Sequence, residues 1–157
     1  KEGVLFMNIL RKGAILGSII VFLFAGMASA GEKISKEEAQ KLALEHQNNG
    51  NRYDDNGKFK EAIAEYQKSL EYIPDDANTL FNLGVVYLKV NKPEEAVATF
   101  EKFVKVEGND AEGYNLLGIA YRGSGKEKDA QGAWAKSLKI NPDQPKVKEM
   151  MGDKLAN

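Results

Sequence analysis

Three of the acidic pairs, one histidine and one glycine-rich segment are the groups in this 157-residue chain that could carry chemistry. The pairs are Asp54-Asp55, Asp75-Asp76 and Glu94-Glu95. A calcium loop needs Asp or Asn at alternate places, a central Gly and a closing Glu, and Asp54-Asp55-Asn56-Gly57 lacks that spacing. Each pair falls at a turn or helix start, where an acid caps the helix and meets its dipole favourably. His46 has no Ser or Cys nucleophile near it and falls at a packing position, so a structural role is expected. The chain has no cysteine, which excludes disulfide scaffolds, thiolate metal sites and cysteine nucleophiles. Gly123-Ser124-Gly125-Lys126 lacks the G-x-x-x-x-G-K-S/T spacing and the preceding strand of a phosphate loop, so a turn is expected. Together these residues predict a non-catalytic chain with no metal and no cofactor.

Lys plus Arg is 22 and Asp plus Glu is 23, a formal charge of −1, and that balance speaks against a nucleic-acid partner. With 43% apolar residues the chain fits one globular domain or one short array of repeats. The first thirty positions stand apart. Arg11-Lys12 precedes an uncharged apolar run from Gly13 to Met27, and Ala28-Ser29-Ala30 supplies the A-x-A pattern. This order predicts a secretory signal cleaved after Ala30. A retained anchor is the competing reading, because Gly13 to Ala30 spans 18 residues, the lower edge for crossing a bilayer. Either way everything after residue 30 is exported, to the periplasm or cell exterior, and any membrane contact is through an uncleaved signal. Lys1-Glu2-Gly3 can be encoded as a bacterial ribosome-binding sequence, which predicts an untranslated leader over residues 1–6 and a start at Met7. Removing residues 1–30 takes three basic residues (Lys1, Arg11, Lys12) and one acid (Glu2), leaving 19 and 22, a charge of −3.

The remainder repeats. Gly50, Gly84, Gly118 and Gly152 are 34 residues apart, as are Tyr53, Tyr87 and Tyr121, then Ala62, Ala96 and Ala130, then Tyr66, Phe100 and Trp134. Leu83-Gly84-x-x-Tyr87 recurs as Leu117-Gly118-x-x-Tyr121, and Pro74 recurs as Pro142. This pattern resembles the tetratricopeptide repeat, a 34-residue helix-turn-helix unit. The resemblance covers three ungapped repeats, 43–76, 77–110 and 111–144, preceded by a helical extension over 31–42 and followed by a capping helix over 145–157. It implies an all-α fold, a right-handed α-solenoid in which neighbours stack because no single helix pair can bury its apolar face alone.

Helices are expected at about 36–55, 59–72, 77–90, 93–107, 111–123, 127–140 and 146–155. Ser35-x-x-Glu38 is a capping-box signature, and Pro93 suits a first helical position. The repeated Gly should let the second helix approach, with the repeated Ala as its small partner and the aromatic filling space between repeats. Val147, Met150, Met151 and Leu155 form an apolar stripe that should cover the third repeat. Gly108 stands where Pro is expected and Phe103 where the other repeats have Ser69 and Ser137, which predicts an altered junction after the second repeat.

Binding is the remaining function. The resemblance implies a concave groove lined by the second, fifth, ninth and twelfth places of each first helix. These are Leu44, Gln47, Asn51 and Asp54, then Asn78, Phe81, Val85 and Leu88, then Glu112, Asn115, Ile119 and Arg122. Steps of three and four keep each set on one helix face. Phe81, Val85, Leu88 and Ile119 would form an apolar strip for a peptide or protein partner. Co-chaperones of the family grip a terminal carboxylate with two Asn and three basic residues. Asn51 and Asn82 match the former, whereas Gln47, Glu112 and Leu116 occupy the basic places, so that clamp is broken. The expected role is an adaptor that binds a protein segment of unknown identity, with a self-associating homo-oligomeric scaffold as the alternative.

Overall fold

The computed structural model describes residues 34–152, and the leader and signal predicted over 1–30 lie outside them. Seven α-helices are present among the described residues: α1 (Lys36–Asp55), α2 (Phe59–Tyr72), α3 (Ala77–Lys89), α4 (Pro93–Val106), α5 (Ala111–Gly123), α6 (Glu127–Ile140) and α7 (Pro145–Met151). The fold is an all-α helical repeat. None of these helices is long and apolar enough to cross a membrane.

Local chemistry sets the boundaries, and it recurs with the repeat. The turns between paired helices reverse at Gly57, Asn91 and Gly125, which adopt φ of 69°, 56° and 75°. These are 34 apart, and each next residue closes the turn: Lys58 N–H donates to Tyr53 O, Lys92 to Tyr87 O and Lys126 to Tyr121 O. Left-handed backbone favours Gly and, next, Asn. The segment around Gly125 is thus a turn. At the starts of α3 and α5, Asp76 accepts from Thr79 N–H at 2.8 Å and Asp110 from Gly113 N–H at 2.6 Å. Pro74 and Pro142 each follow a second helix by two residues, consistent with a residue that cannot continue it.

Packing runs between sequence neighbours, with additional contact between α1 and α3 and between α3 and α5. First helices therefore approach one another more closely than second helices do, and the stack curves with α1, α3 and α5 on its inner side. One expectation is corrected here. The residue over each repeated glycine is the aromatic of its own repeat, not the alanine. A Cβ on Gly50 would lie 2.5 Å from the Tyr66 ring, on Gly84 2.7 Å from Phe100, and on Gly118 2.3 Å from Trp134. The three alanines are also wholly buried.

The departure at Phe103 is answered locally. In the first repeat Ser69 Oγ donates to Ala43 O and lies 3.3 Å from Thr79 Oγ1. One repeat later the same two places hold Phe103 and Gly113, and a Cβ on Gly113 would sit 2.3 Å from the Phe103 ring. A small-with-medium pair has become a large-with-none pair. Helix α7 buries Val147 and Met151 against Ala130 and Trp134, with Met150 partly buried beside them. It ends earlier than expected because Gly152 turns left-handed at φ 73°. Gly152 is thus a helix stop and not a fourth interhelical glycine, and Leu155 lies outside the described residues.

Candidate functional site

The inner face presents most of the residues expected to line a groove, but their surroundings divide them. Gln47 Nε2 donates to Asp76 Oδ2 and to Thr79 Oγ1, both at 2.8 Å, and so braces the first repeat against the second. Asp54 holds Lys89 of the next repeat at 2.8 Å through both carboxylate oxygens. Arg122 lies over the Trp134 ring, 5.0 Å from its centroid. These three are engaged within the chain. Leu44 is 56% exposed and lines a small pocket of about 70 Å³ with Gln47 and Asp76.

The expected apolar strip is half-buried. Phe81, Val85 and Leu88 pack against the main core, and Ile119 against the carboxy-terminal cluster. Phe81 meets Phe103 edge-on with centroids 5.3 Å apart. Leu116 also packs on the core, so the place of a basic clamp residue is filled by an apolar one.

Asn51 and Asn82 meet each other. Asn82 Nδ2 donates to Asn51 Oδ1 at 2.9 Å, and Tyr66 OH donates to the same oxygen at 2.8 Å. Burial, reinforced by Asp54 and Asp55, pushes the Tyr66 hydroxyl up to about 12, so it remains a donor throughout the neutral range. The shared oxygen leaves Asn51 Nδ2 to donate and Asn82 Oδ1 to accept, and neither atom has a partner among the described residues. Neither is a fully buried orphan, so both reach solvent. An amide donor and an amide acceptor side by side match one peptide unit. Asn115 differs: its Oδ1 is buried without a partner among the described residues, while its backbone oxygen accepts from Trp134 Nε1 at 3.2 Å.

A pocket of about 280 Å³ opens beside this amide pair, lined by Asn78, Phe81, Asn82 and Glu112 from the expected set. Ala77 at the start of α3 and Phe103, Glu107 and Asp110 complete its wall; the last three were missed because they belong to the end of α4 and the junction before α5. Their signal was present: Glu107, Asp110 and Glu112 put three acids within six residues where Gly108 replaces the usual Pro. Asn115, Ile119 and Arg122 do not reach this pocket.

His46 lies elsewhere. Its ring stacks on Tyr72 at 5.8 Å, and Nδ1 is 2.7 Å from Glu65 Oε2. That hydrogen bond, and then one from Lys68, hold the Glu65 carboxyl below its ordinary value. Among the described residues no group of three His, Asp or Glu is arranged to hold a metal ion.

Two family models match the chain, one described as TPR repeat over residues 50–91 and one as tetratricopeptide repeat over residues 85–145. The chain belongs to the tetratricopeptide repeat family. No curated protein sequence matches it. Several solved tetratricopeptide structures share its fold. The first TPR of Spaghetti (RPAP3), bound to the HSP90 peptide SRMEEVD, is 22% identical with a TM-score of 0.68, covering 75% of this chain and 96% of that one. The N-terminal domain of stress-induced protein-1 (STI-1) from C. elegans is 25% identical with a TM-score of 0.64, covering 71% and 96%. The MamA protein is 26% identical with a TM-score of 0.70, and the match covers 71% of this tetratricopeptide chain and 61% of MamA.

Proposed function

We propose that this chain is an exported, non-catalytic adaptor that binds an extended segment of another protein along the inner face of its tetratricopeptide array. The observation that carries the reading is the Asn51–Asn82 pair, whose outer donor and acceptor have no partner among the described residues and stand beside a pocket walled by Phe81 and Phe103. A similar fold in Spaghetti holds a peptide. The ligand here differs from that acidic one, because Gln47, Glu112 and Leu116 supply no positive charge to offset desolvation of a carboxylate. Self-association by end-to-end stacking has less support, since α7 covers the apolar face that a further repeat would use.

Selection of a randomised decapeptide library on the protein, followed by affinity measurement with an enriched peptide, tests the groove. Asn82→Ala removes the acceptor offered to the ligand, and leaving a backbone N–H desolvated costs roughly 1–3 kcal/mol, about five- to a hundredfold in affinity. Stability should change by less than about 1 kcal/mol, because the lost bond to Asn51 is offset by the better helix propensity of Ala. Lys92→Ala, at an exposed turn, serves as the control and should bind as wild type. No enriched peptide, or an Asn82→Ala variant that binds as wild type, would remove the site from this face.

Export rests on residues 1–30. Intact mass of the protein recovered from the producing bacterium should correspond to a chain starting at Gly31. A membrane-embedded full-length species would favour the anchor instead.

A further inference from the structure

We propose that the pocket between α3 and α5 receives a basic side chain, arginine or lysine, from the bound segment. The inference rests on the groove reading above and adds the chemistry of the partner. The pocket has an apolar wall, from Ala77, Phe81 and Phe103, and an acidic rim, from Glu107, Asp110 and Glu112; no cation lines it. Among the described residues, none of these three carboxylates is in an ion pair, and Asp110 has only the backbone N–H of Gly113. Three acids elsewhere on the array do have a lysine partner: Asp54 has Lys89, Glu65 has Lys68 and Glu95 has Lys92. Negative charge is therefore left unbalanced at the pocket, within reach of an entering side chain.

Size and shape agree with charge. At about 280 Å³ the pocket lies just below the range of small-ligand sites, about 300 to 1,000 Å³, so it suits one long side chain better than a cofactor. Lysine and arginine lay an apolar stem along apolar surface and keep the charged head at a polar rim. An aromatic wall adds attraction for a cation. The chain already holds one of its own lysines in this manner: Lys89 Nζ lies 5.8 Å from the Phe59 ring centroid and 2.8 Å from the Asp54 carboxylate. The pocket repeats that ring-and-carboxylate arrangement with the cation left to the partner. Its polarity is opposite to what a carboxylate-ended peptide requires.

The library selection described above reads this directly. Peptides enriched on the wild-type protein should carry Arg or Lys at one fixed place. Glu107→Gln with Glu112→Gln, both at exposed positions where folding is little affected, should weaken an enriched basic peptide about 3- to 30-fold while a neutral analogue is unchanged. Glu107→Lys with Glu112→Lys should shift the enriched residue at that place to Asp or Glu. Thermal midpoints of all variants confirm that the array is folded. Enrichment without a basic preference, or a basic preference indifferent to the Glu107 and Glu112 changes, overturns this inference and leaves the groove reading standing. Equal affinity for free spermidine would mean a diffusible amine is the ligand, and would also overturn it. Absence of any enriched peptide overturns both readings.

Discussion

Gly118→Leu is expected to lower the thermal midpoint by about 10 °C or more, and to leave the array largely unfolded on mild warming. Gly118 faces Trp134, which is wholly buried, donates to Asn115 O and carries Arg122 on its ring. A Cβ there would already lie 2.3 Å from the indole nitrogen, so the helix pair must separate or the indole must leave its site. Overpacking usually costs about 1–3 kcal/mol and occasionally more, and a domain of this size loses about 3–6 °C per kcal/mol. The sign of the alanine variants makes the test sharper. Gly→Ala in a helix interior normally stabilises by about 1 kcal/mol. Gly132 also lies inside a helix, and a Cβ there meets nothing within 4 Å, so Gly132→Ala should raise stability. Gly118→Ala should lower it. Two midpoints moving in the same direction would show that the Trp134 ring does not depend on an empty place at Gly118.

Phe103→Ser and Gly113→Thr should each destabilise the chain, and together destabilise it by less than their sum. Phe103 is 5% exposed, and truncating a buried Phe costs about 3–5 kcal/mol. Gly113→Thr drives a β-branched side chain into the Phe103 ring, at about 1–3 kcal/mol. The double variant rebuilds the Ser69–Thr79 arrangement found one repeat earlier: a small hydroxyl in hydrogen-bonding reach of the preceding first helix, with a threonine filling the space beside it. Residues in direct contact couple by about 0.5–3 kcal/mol, and here the coupling should be favourable. Recovery will be incomplete, because Phe81 loses one of its two edge-on partners and keeps only Phe100. Strict additivity in denaturant titrations of the four proteins would mean that Phe103 and Gly113 are not a matched pair.

Much of this molecule was legible beforehand. The 34-residue step, the helix positions and the acidic cap at Asp76 all follow from local rules: a glycine or asparagine at a left-handed turn, an acid before a first turn, a proline after a last one. Such rules act over four or five residues, which is why a single sequence displays them. The groove was legible as a set of places and not as a set of roles. Gln47, Asp54 and Arg122 stand at groove positions, yet they brace the array, because each finds a partner 29, 35 or 12 residues away.

The sequence by itself determined the repeat, its register and the elements of each unit, since these depend on residue types at fixed short spacings. Only the tertiary structure decided what faces what. Trp134 and not Ala130 covers Gly118, Gly113 makes room for Phe103, and Asn51 shares one oxygen between Tyr66 and Asn82. The acidic pocket likewise exists only after α4, its junction and α5 are stacked on α3. Hydrogen bonds and close packing hold within a few tenths of an ångström, and the separation of two helices from different repeats is set by every side chain between them.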